Sequence, residues 1–591
     1  MALGKKRVAQ PKLVQQRRAN PLVSEWDYII VGGGSAGSVM ANRLSSKPSN
    51  RVLLIEAGPD TPHGNIPPEV HSSYPGVAYF DSRFHWTELK VTTQPVRHND
   101  PSFHPPKRSY EQARIMGGGS SINGQLLNRG APTDYDGWRD LGVKGWGWED
   151  CLPYFRKLER DLDFPDSPYH GADGKIPVRR LFEEQWTGYT HAVQKALLAE
   201  GYDYIEDQNG EFRDGFFPLT ISNAFDRRVS AAIGYLDPPT RRRDNLEIIA
   251  DTRVSAITFD GLKATGVVAF RHNGGEETHK ALREVIICSG ALHSPAHLMR
   301  AGIGPAGHLK ELGIEVRHAL PGVGQNLQDH PSVSVSGYLP AEHRIQRDDV
   351  RHMHIGWRFS SNLHDAPQGD MFAAQVAKSA WHDVGKRMGS LLVWVNRTYS
   401  TGEVKLTSAN WRDEPSVDFG LCSDRRDLDR LADGFRRSAA ILLSDTVREV
   451  ATNAFPTAYT EQVRKIAKVN GRNKAITWFL GKLMDGPAPV RKLLIEKVIT
   501  GGITLETLLT DAEALDQFVL ANATGTWHAT CSCRMGADND PMAVTDSQGR
   551  VRGVTGLRVV DASIFPFVPS ANTNGPTLMT AEKISDAIIS A

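Results

Sequence analysis

The first apolar stretch of the chain lies at residues 27–31 and leads directly into three glycines that begin at Gly32. Residues 39–44 follow with apolar side chains at helical spacing, and a second apolar run, 51–55, ends at Glu56. Strand, glycine turn, helix, strand and acid together predict a β-α-β unit.

Residues 245–290 contain shorter apolar runs that are separated by turn pairs such as Asp260-Gly261. The predicted strands are 246–250, 254–259, 265–270 and 284–288. This spacing predicts a β-meander whose last strand is buried and leads into Ser289.

A different pattern covers residues 331–525, where polar strands mix with helices and glycine-turn motifs are lacking. It predicts a second domain inserted into the first. Within it, residues 461–500 are helical in pattern and basic. Farther along the chain, one more predicted strand, 557–560, ends at Asp561.

Composition places the chain among globular proteins of more than one domain, with 591 residues, 40% of them hydrophobic and 23% charged. The net charge of +1 provides no global field that attracts nucleic acid, so none is expected as a partner. Five cysteines, few and odd in number, favour a reducing, cytoplasmic compartment. No apolar run reaches about 18 residues, so no transmembrane helix is expected.

The first 24 residues are basic and contain no acid. Arg17-Arg18 is similar to a twin-arginine signal, but Asn20, Pro21 and Glu25 interrupt the apolar segment that such a signal requires. Residues 1–25 are therefore expected to form a flexible basic tail.

The turn after the first predicted strand reads G-x-G-x-x-G through Gly32, Gly34 and Gly37. Gly32 permits the tight turn, Gly34 lets the backbone approach a pyrophosphate, and Gly37 allows close helix–strand packing. Ser35 and Ala36 open the helix, whose N-terminal dipole favours phosphate. This context predicts a dinucleotide site.

Glu56 stands 19 residues after Gly37, at the end of the second predicted strand, where it is expected to accept hydrogen bonds from ribose hydroxyls. NAD and FAD both bind to such a turn. The late strand that ends at Asp561 and the glycine stretch 117–119 favour FAD.

Four further segments resemble signatures of the glucose–methanol–choline (GMC) oxidoreductases. They are residues 114–123, 289–304, 321–330 and the C-terminal pair 528–536 with 561–577. Ala301 departs from the serine usual in the second signature, and Leu127 from the aromatic residue or alanine usual in the first. The resemblance covers the chain from about residue 26 to its end.

The resemblance implies an α/β fold with a Rossmann-like FAD-binding domain, similar to that of glutathione reductase, and an inserted α+β substrate-binding domain. The expected FAD-binding segments are 26–160, 225–330 and 525–591, and the substrate-binding segments are 161–224 and 331–524. Ile122 stands where some family members carry a histidine that is bonded to the flavin. FAD is therefore expected to bind non-covalently.

The resemblance also assigns the catalytic residues. His528 lies six residues before Arg534, as the active-site histidine of the family does, and is expected to be the base. Asn572, ten residues before Glu582, takes the place of the second active-site residue and would hold the substrate oxygen. Asn574 is the alternative for that role. The other implied cofactor contacts are Arg114, Gly117, Gly118, Ser121, Asn123, Gly124, Val254, Gly290, Asp561, Ala562, Thr573, Asn574 and Thr577.

Trp527, beside the expected base, and Val395 are expected to line the substrate pocket. Cys531 and Cys533 make an incomplete zinc site and are expected to pack on one face of a strand, so no metal is expected. Asp329 and His330, which are adjacent in the sequence, are expected to be structural, as part of a turn.

The expected reaction is the FAD-dependent oxidation of a primary alcohol to the aldehyde with O₂ as acceptor. Stretches such as 66–69 and 394–396 are similar to family members that act on furanic or aryl alcohols. The alternatives are a dehydrogenase that uses a quinone or another acceptor and a hydroxynitrile lyase, which needs no flavin reduction. A fatty-acid decarboxylase would need an arginine and a long apolar tunnel for its substrate, and neither feature can be located in the sequence.

The basic segment 461–500 also carries Ile476, Trp478 and Phe479 among its lysines. This mixture is compatible with a membrane-surface contact, a lid or a subunit contact. Membrane association is not expected, and the sequence leaves the oligomeric state open.

Overall fold

The computed structural model describes residues 25–95, 102–272 and 274–591. The basic tail expected at 1–25 lies outside these residues except for Glu25, which begins the first strand. The strands are β1 (Glu25–Val31), β2 (Val52–Ile55), β3 (Lys90–Thr92), β4 (Lys107–Ser109), β5 (Glu159–Asp161), β6 (Ile176–Arg179), β7 (Gly215–Pro218), β8 (Ile221–Ala224), β9 (Arg227–Arg228), β10 (Leu246–Ile249), β11 (Thr252–Asp260), β12 (Lys263–Arg271), β13 (Glu276–Ile287), β14 (Ile303–Gly304), β15 (His318–Ala319), β16 (Pro331–Tyr338), β17 (Met353–Phe359), β18 (Met371–Val376), β19 (Met388–Val395), β20 (Glu403–Lys405), β21 (Ser416–Asp418), β22 (Thr452–Thr457), β23 (Thr524–Gly525) and β24 (Leu557–Val559). The helices are α1 (Ser35–Leu44), α2 (Pro68–His71), α3 (Gly76–Tyr79), α4 (Pro132–Asp140), α5 (Trp148–Leu158), α6 (Gly188–Ala199), α7 (Ala231–Tyr235), α8 (Pro238–Arg241), α9 (Gly290–Arg300), α10 (Ala306–Glu311), α11 (Arg425–Leu443), α12 (Asp445–Arg448), α13 (Glu461–Ala467), α14 (Gly471–Met484), α15 (Ala488–Leu494), α16 (Leu505–Thr510), α17 (Ala512–Asn522) and α18 (Asn574–Ser590).

The first sheet contains the predicted β-α-β unit. Its order is β10-β2-β1-β13-β12-β11, and β24 also pairs with β13. Strands β10, β2, β1, β13 and β24 run parallel to one another. Strand β12 pairs antiparallel with both β13 and β11. Helix α1 packs against β1 and β2, whose side chains are almost all buried, as in a parallel sheet covered on both faces. The predicted α/β class is confirmed.

The prediction that residues 246–250 open the meander is wrong. Strand β10 pairs in parallel with β2, with Leu246 opposite Val52, and Asp251 in a left-handed conformation (φ +51°) separates it from β11. Only β11, β12 and β13 form the meander. An apolar run predicts a strand, but it does not specify the partner of that strand.

The second large sheet has the order β22-β16-β19-β18-β17-β7, and β23 also pairs with β16. Helix α11 packs against β16 and β19. The prediction of polar strands here needs correction, because β16 and β19 are almost wholly buried. Two of their serines satisfy each other within the sheet, as Ser336 Oγ lies 2.7 Å from Ser390 Oγ. The boundaries of the two expected domains stay a prediction.

The C-terminal helix α18 packs against α1 and α5. Its Glu582 is fully buried and accepts hydrogen bonds from Arg43 Nη2 at 2.6 Å and Tyr235 Oη at 2.7 Å. These bonds hold the middle of α18 beside the end of α1.

A buried network of charges ties β5 and β6 to the loop that carries Asp207. Nδ1 of His170 lies 2.8 Å from Glu159 Oε1 and 2.9 Å from Asp161 Oδ2, and its Nε2 lies 2.8 Å from Asp207 Oδ2. Arg180 Nη1 lies 2.9 Å from Asp161, and a second arginine, residue 129, pairs with Glu159. The carboxylates therefore already have cationic partners.

The segment 461–500 is helical, as predicted. It forms α13, α14 and α15, followed by a π-helical turn at Ile495–Ile499. Across the described parts of the chain, every helix is too short or too polar to cross a lipid bilayer.

Candidate active site

Two glycines of the first turn are required by the packing of the protein itself. Gly32 has a φ of +104°, and a Cβ there would lie 2.6 Å from the Cys288 carbonyl oxygen. A Cβ on Gly37 would lie 1.9 Å from the carbonyl oxygen of Gly32, so this glycine lets α1 pack closely against β1.

Gly34 differs from both. Its φ of −67° suits any residue, and the atoms nearest to a Cβ there, Cys288 O and Gly118 Cα, lie 3.8 and 3.9 Å away. A methyl group would fit against the protein but take up space in the cavity that Gly34 lines. The N-terminus of α1 at Ser35 lines the same cavity, and its free N–H groups and dipole suit a phosphate. This cradle fits the pyrophosphate of a dinucleotide.

One cavity collects most of the predicted site residues. Those that line it are Gly32, Gly34, Ser35, Ala36, Glu56, Gly118, Asn123, Gly124, Val254, Gly290, Trp527, His528, Asp561, Ala562, Asn572, Thr573, Asn574 and Thr577. The predicted residues that do not line it are Gly37, Arg114, Gly117, Ser121 and Val395. Ser121 is fully buried and donates to the carbonyl of Met116 at 2.7 Å, and Arg114 Nε donates to the carbonyl of Ala57 at 3.1 Å. Both therefore support the wall from behind.

Two buried carboxylates are held at the cavity wall by the backbone. Glu56 accepts from the Gly33 amide at 2.7 Å and the Gly58 amide at 2.8 Å, and burial raises its pKa to about 7. Asp561 accepts from Gly290 N at 2.9 Å, and burial raises its pKa as well. Both carboxylates keep lone pairs that suit the hydroxyls of a ribose or ribityl chain.

The cavity wall near Val254 is aromatic and basic. Arg253 lies with its guanidinium 4.7 Å from the ring centre of Trp86 and 5.1 Å from that of Trp411. The ring of His293 lies 4.7 Å from that of Trp86. Flat apolar and guanidinium surfaces of this kind suit the adenine of a dinucleotide.

His528 and Asn572 meet at the cavity wall. Asn572 Nδ2 lies 3.0 Å from His528 Nε2, and Asn572 Oδ1 is buried without a hydrogen-bond partner. The alternative residue, Asn574, accepts instead from Ser35 Oγ at 2.8 Å and so joins the starts of α18 and α1. The structure therefore brings Asn572, and not Asn574, to the histidine.

Burial, and secondarily the neighbouring His330, hold the pKa of His528 well below its ordinary value. Its Nδ1 lies 2.7 Å from Thr526 Oγ1 and 2.8 Å from His330 Nδ1. With Asn572 donating to Nε2, the ring proton of neutral His528 lies on Nδ1. The lone pair of Nε2 then faces the asparagine and the cavity.

Asp329 and His330 do more than shape a turn. Asp329 Oδ1 accepts from the amides of His528 at 2.9 Å and Thr526 at 3.2 Å, and so holds the segment that carries the base. Trp527 within this segment has a φ of +60°. Asp329 and His330 lie in the stretch 321–330, which resembles a family signature. That resemblance was the signal in the sequence that could have placed them in the site.

A second group that the sequence did not reveal surrounds Glu111 in the cavity wall. Arg464 Nη1 of α13 lies 2.6 Å from both of its carboxylate oxygens. Tyr79, Tyr459 and Trp527 donate to the same carboxylate at 3.2, 3.3 and 3.2 Å. The carboxylate is thus neutralised by a buried guanidinium and fixes the indole beside His528.

Comparison with known proteins decides the family. The chain matches two family models described as GMC oxidoreductase, over residues 26–332 and 398–581. It belongs to the GMC oxidoreductase family. Members of this family are FAD flavoproteins, which agrees with the phosphate cradle at Gly34.

The similarity to known proteins extends over nearly the whole chain. The 5-(hydroxymethyl)furfural oxidase of Methylovorus sp. (strain MP688) is 43% identical over 95% of this chain and 98% of its own. The oxygen-dependent choline dehydrogenase of Ectopseudomonas mendocina (strain ymp) is 34% identical over 95% and 94%. The crystal structure of pyridoxine 4-oxidase from Mesorbium loti is 24% identical and shares the fold, with a TM-score of 0.77 over 96% and 99%.

The structure does not bring Val395 to the cavity of this GMC oxidoreductase. Val395 is fully buried at the end of β19 and packs in the core between the second sheet and α11. Side chains alternate between the two faces of a strand, and Val395 lies on the face turned to that core. The next residue, Asn396, donates to the carbonyl of Ser570 at 3.2 Å, two residues before Asn572.

Cys531 and Cys533 are both buried and free. Burial raises the pKa of each thiol, so neither is a ready thiolate. Within the described residues, the group with ligand spacing for a metal is Glu159, Asp161 and His170, which the arginines already neutralise.

Proposed function

We propose that this GMC oxidoreductase oxidises a furanic or aryl primary alcohol to the aldehyde, with FAD as hydride acceptor and O₂ as the final acceptor. The observation that carries the proposal is the contact between His528 Nε2 and Asn572 Nδ2, 3.0 Å apart, in the cavity that the Gly34 cradle also lines. The 43% identity to a 5-(hydroxymethyl)furfural oxidase supports the furanic substrate class.

His528 is the proposed base for the hydroxyl proton. Because its pKa lies well below the ordinary value, the ring is neutral at neutral pH and can accept a proton at Nε2. When it does, the positive charge lies next to Thr526 Oγ1 and His330 Nδ1, whose lone pairs can accept from the Nδ1 proton.

Asn572 is the proposed holder of the substrate oxygen. Its amide lies beside Nε2, and its buried Oδ1 lacks a partner, so the side chain has hydrogen-bonding capacity to offer a hydroxyl. Bound FAD supplies the two-electron acceptor that no side chain can provide. Loss of the hydroxyl proton to His528 and of the carbon-bound hydride converts R–CH₂OH to R–CHO.

The wall around Glu111 supports a neutral substrate rather than a cationic one. An aromatic wall with a free carboxylate would attract a quaternary ammonium group. Here Arg464 pairs with the carboxylate at 2.6 Å, and two tyrosines and the indole of Trp527 also donate to it. This pairing favours furanic and aryl alcohols over choline-like alcohols.

Non-covalent binding of FAD is part of the proposal. Ile122 lines the cavity and packs with Val70, Ala78 and Phe84, and its side chain has no atom that can bond to a flavin. The proposal also retains the FAD-binding segments 26–160, 225–330 and 525–591. A reducing, cytoplasmic compartment is consistent with five buried free cysteines.

The test is a panel of 5-(hydroxymethyl)furfural, benzyl alcohol, choline and hexanol, scored by the anaerobic bleaching of the flavin. Furanic and aryl alcohols are expected to bleach it fastest. Admission of O₂ should then restore the colour with one peroxide formed per alcohol. Restoration only by an added quinone would establish a dehydrogenase, and cyanohydrin cleavage without bleaching would establish a lyase.

A further inference from the structure

Helix α14 turns three of its large apolar side chains, Ile476, Trp478 and Phe479, outwards. Met484 is buried, and Leu480 and Leu483 are partly buried against the same core cluster. The residues that it buries are Asn473, Thr477, Gly481 and Met484, spaced four, four and three apart and mostly small or polar. Trp478 and Phe479 on the other side are 55% and 57% exposed. A helix that only covers a core has the opposite arrangement, with apolar residues inside and polar ones outside.

The exposed apolar surface continues beyond α14. Nine of the 17 large apolar side chains exposed in the described part of the chain lie between residues 463 and 503. Helix α15 packs against α14 and adds Leu493, 59% exposed, and the following π-helical turn adds Val498, 61% exposed. Isolated exposed apolar residues are ordinary, but a cluster of this kind marks an interaction surface.

The same surface is basic. Its exposed cations include Arg472, Lys474, Lys482, Lys492 and Lys497, and residues 461–503 contain only three carboxylates. One of the three, Asp485, already binds Arg344 and Arg387, which lie outside the segment. We call these five cations, together with Ile476, Trp478, Phe479, Leu493 and Val498, the basic apolar face.

We propose that the basic apolar face docks on the surface of an anionic lipid bilayer. Aromatic and aliphatic side chains would enter the boundary between headgroups and acyl chains, while the lysines and arginines lie among anionic headgroups. No helix needs to cross the bilayer for this contact.

Charge decides between a bilayer and a second copy of the chain. A two-fold interface places the same patch of each subunit against the other. The five cations of the face would then oppose five identical cations at close range, which is unfavourable. An anionic bilayer complements both the charge and the apolar side chains of the face.

The test is the flotation of the FAD-loaded protein with vesicles of phosphatidylcholine alone and of mixed phosphatidylcholine and phosphatidylglycerol. The wild type should float with the mixed vesicles only, and the bound fraction should fall as salt is raised. The double variants Trp478→Ser/Phe479→Ser and Lys474→Glu/Lys482→Glu should each lower the affinity by about tenfold or more, since the apolar contacts and the cations both contribute.

The matched control is Phe225→Ser, which removes a phenylalanine that is 95% exposed elsewhere on the molecule and should leave vesicle binding unchanged. FAD content and thermal unfolding confirm that each variant is folded. Wild-type protein that stays unbound to anionic vesicles, or face variants that bind as the wild type does, would overturn the proposal. It would also be overturned if Trp478→Ser/Phe479→Ser dissociated a soluble oligomer while vesicle binding was absent throughout.

Discussion

At the scale of single residues, Gly34 and Gly37 stand three positions apart in one turn, yet the structure requires them for different reasons. Gly37 is needed by the fold, because a Cβ there would lie 1.9 Å from the Gly32 carbonyl oxygen. Gly34 has an ordinary φ and no protein atom within 3.8 Å of its Cβ position, so its small size serves the ligand.

Gly34→Ala should therefore fold but lose FAD. The added methyl group takes up the space that a pyrophosphate needs, while the protein around it stays relaxed. The ratio of flavin to protein absorbance after purification measures the loss, and circular dichroism checks the fold. Gly37→Ala is the contrasting variant, and overpacking of about 1–3 kcal/mol should lower its free energy of unfolding. Full flavin occupancy in folded Gly34→Ala would contradict the phosphate cradle.

The sequence identified His528 and Asn572 but not the groups that support them. His330 lies 198 positions before His528, and Arg464 lies 353 positions after Glu111, so neither contact has a local signal. Motifs report backbone turns and reactive groups, whereas support from remote segments depends on the packing of the whole chain.

Removal of Arg464 should change the substrate preference. In Arg464→Met the carboxylate of Glu111 loses its cationic partner, so kcat/KM for a trimethylammonium alcohol relative to benzyl alcohol should rise about tenfold, equivalent to about 1.4 kcal/mol. Steady-state kinetics with both alcohols measures the ratio. The double variant Glu111→Gln/Arg464→Met should return it to the wild-type value. Equal ratios in the single and double variants would show that the carboxylate does not select the substrate.

At the scale of elements, the sequence predicted the β-α-β unit well because strand, glycine turn and helix are contiguous there. The partner of β10 and the burial of β16 were not predictable in the same way. Strand pairing between distant segments depends on which helices cover the sheet, and a buried serine depends on a partner such as Ser390 across the sheet. The helices of 461–500 were predicted, but which residues α14 buries was not.

The network that ties β5 and β6 to the Asp207 loop predicts a pH dependence of stability. Burial disfavours the charged ring of His170, but hydrogen bonds to Asp161, Asp207 and Glu159 outweigh it and raise its pKa to about 10. Because the pKa is raised, the contribution of protonated His170 to the free energy of unfolding is complete below the unfolded pKa of about 6.5. It is lost as pH rises through about 10.

The difference in unfolding free energy between the wild type and His170→Gln should therefore shrink steadily from pH 6.5 towards pH 10. Denaturant unfolding of both proteins at several pH values measures it, and the subtraction removes other titrating groups. A difference that stays constant or grows over this range would show that the buried imidazole is neutral.

At the scale of the whole molecule, one cavity joins the glycine turn of the first sheet, the segment 526–528 and the start of α18. The two helix starts that meet at Ser35 and Asn574 come from opposite ends of the chain. Family motifs placed both ends in one site, but only the structure shows that Val395 belongs to the core of the second sheet and not to this cavity.

Acid precipitation should release FAD into the supernatant. Ile122 lines the cavity and offers no atom for a covalent bond to flavin. Absorbance of the supernatant and mass spectrometry of the intact chain measure the distribution. Flavin retained on the precipitated chain would imply a linkage through another residue.

The pH dependence of anaerobic flavin reduction by the alcohol, in the wild type and in His528→Ala, tests the central claim most directly. Only the neutral imidazole accepts a proton, and burial holds its pKa well below the ordinary value of 6.5. In the wild type the rate should therefore rise with pH on the acid side and level off below pH 6.5. In His528→Ala, with FAD still bound, the rate should fall by at least ~100-fold and the acid limb should vanish. Asn572→Ala should weaken reduction but keep the limb, because an amide does not titrate. A His528→Ala protein that keeps the wild-type rate and acid limb would contradict the assignment of His528 as the base.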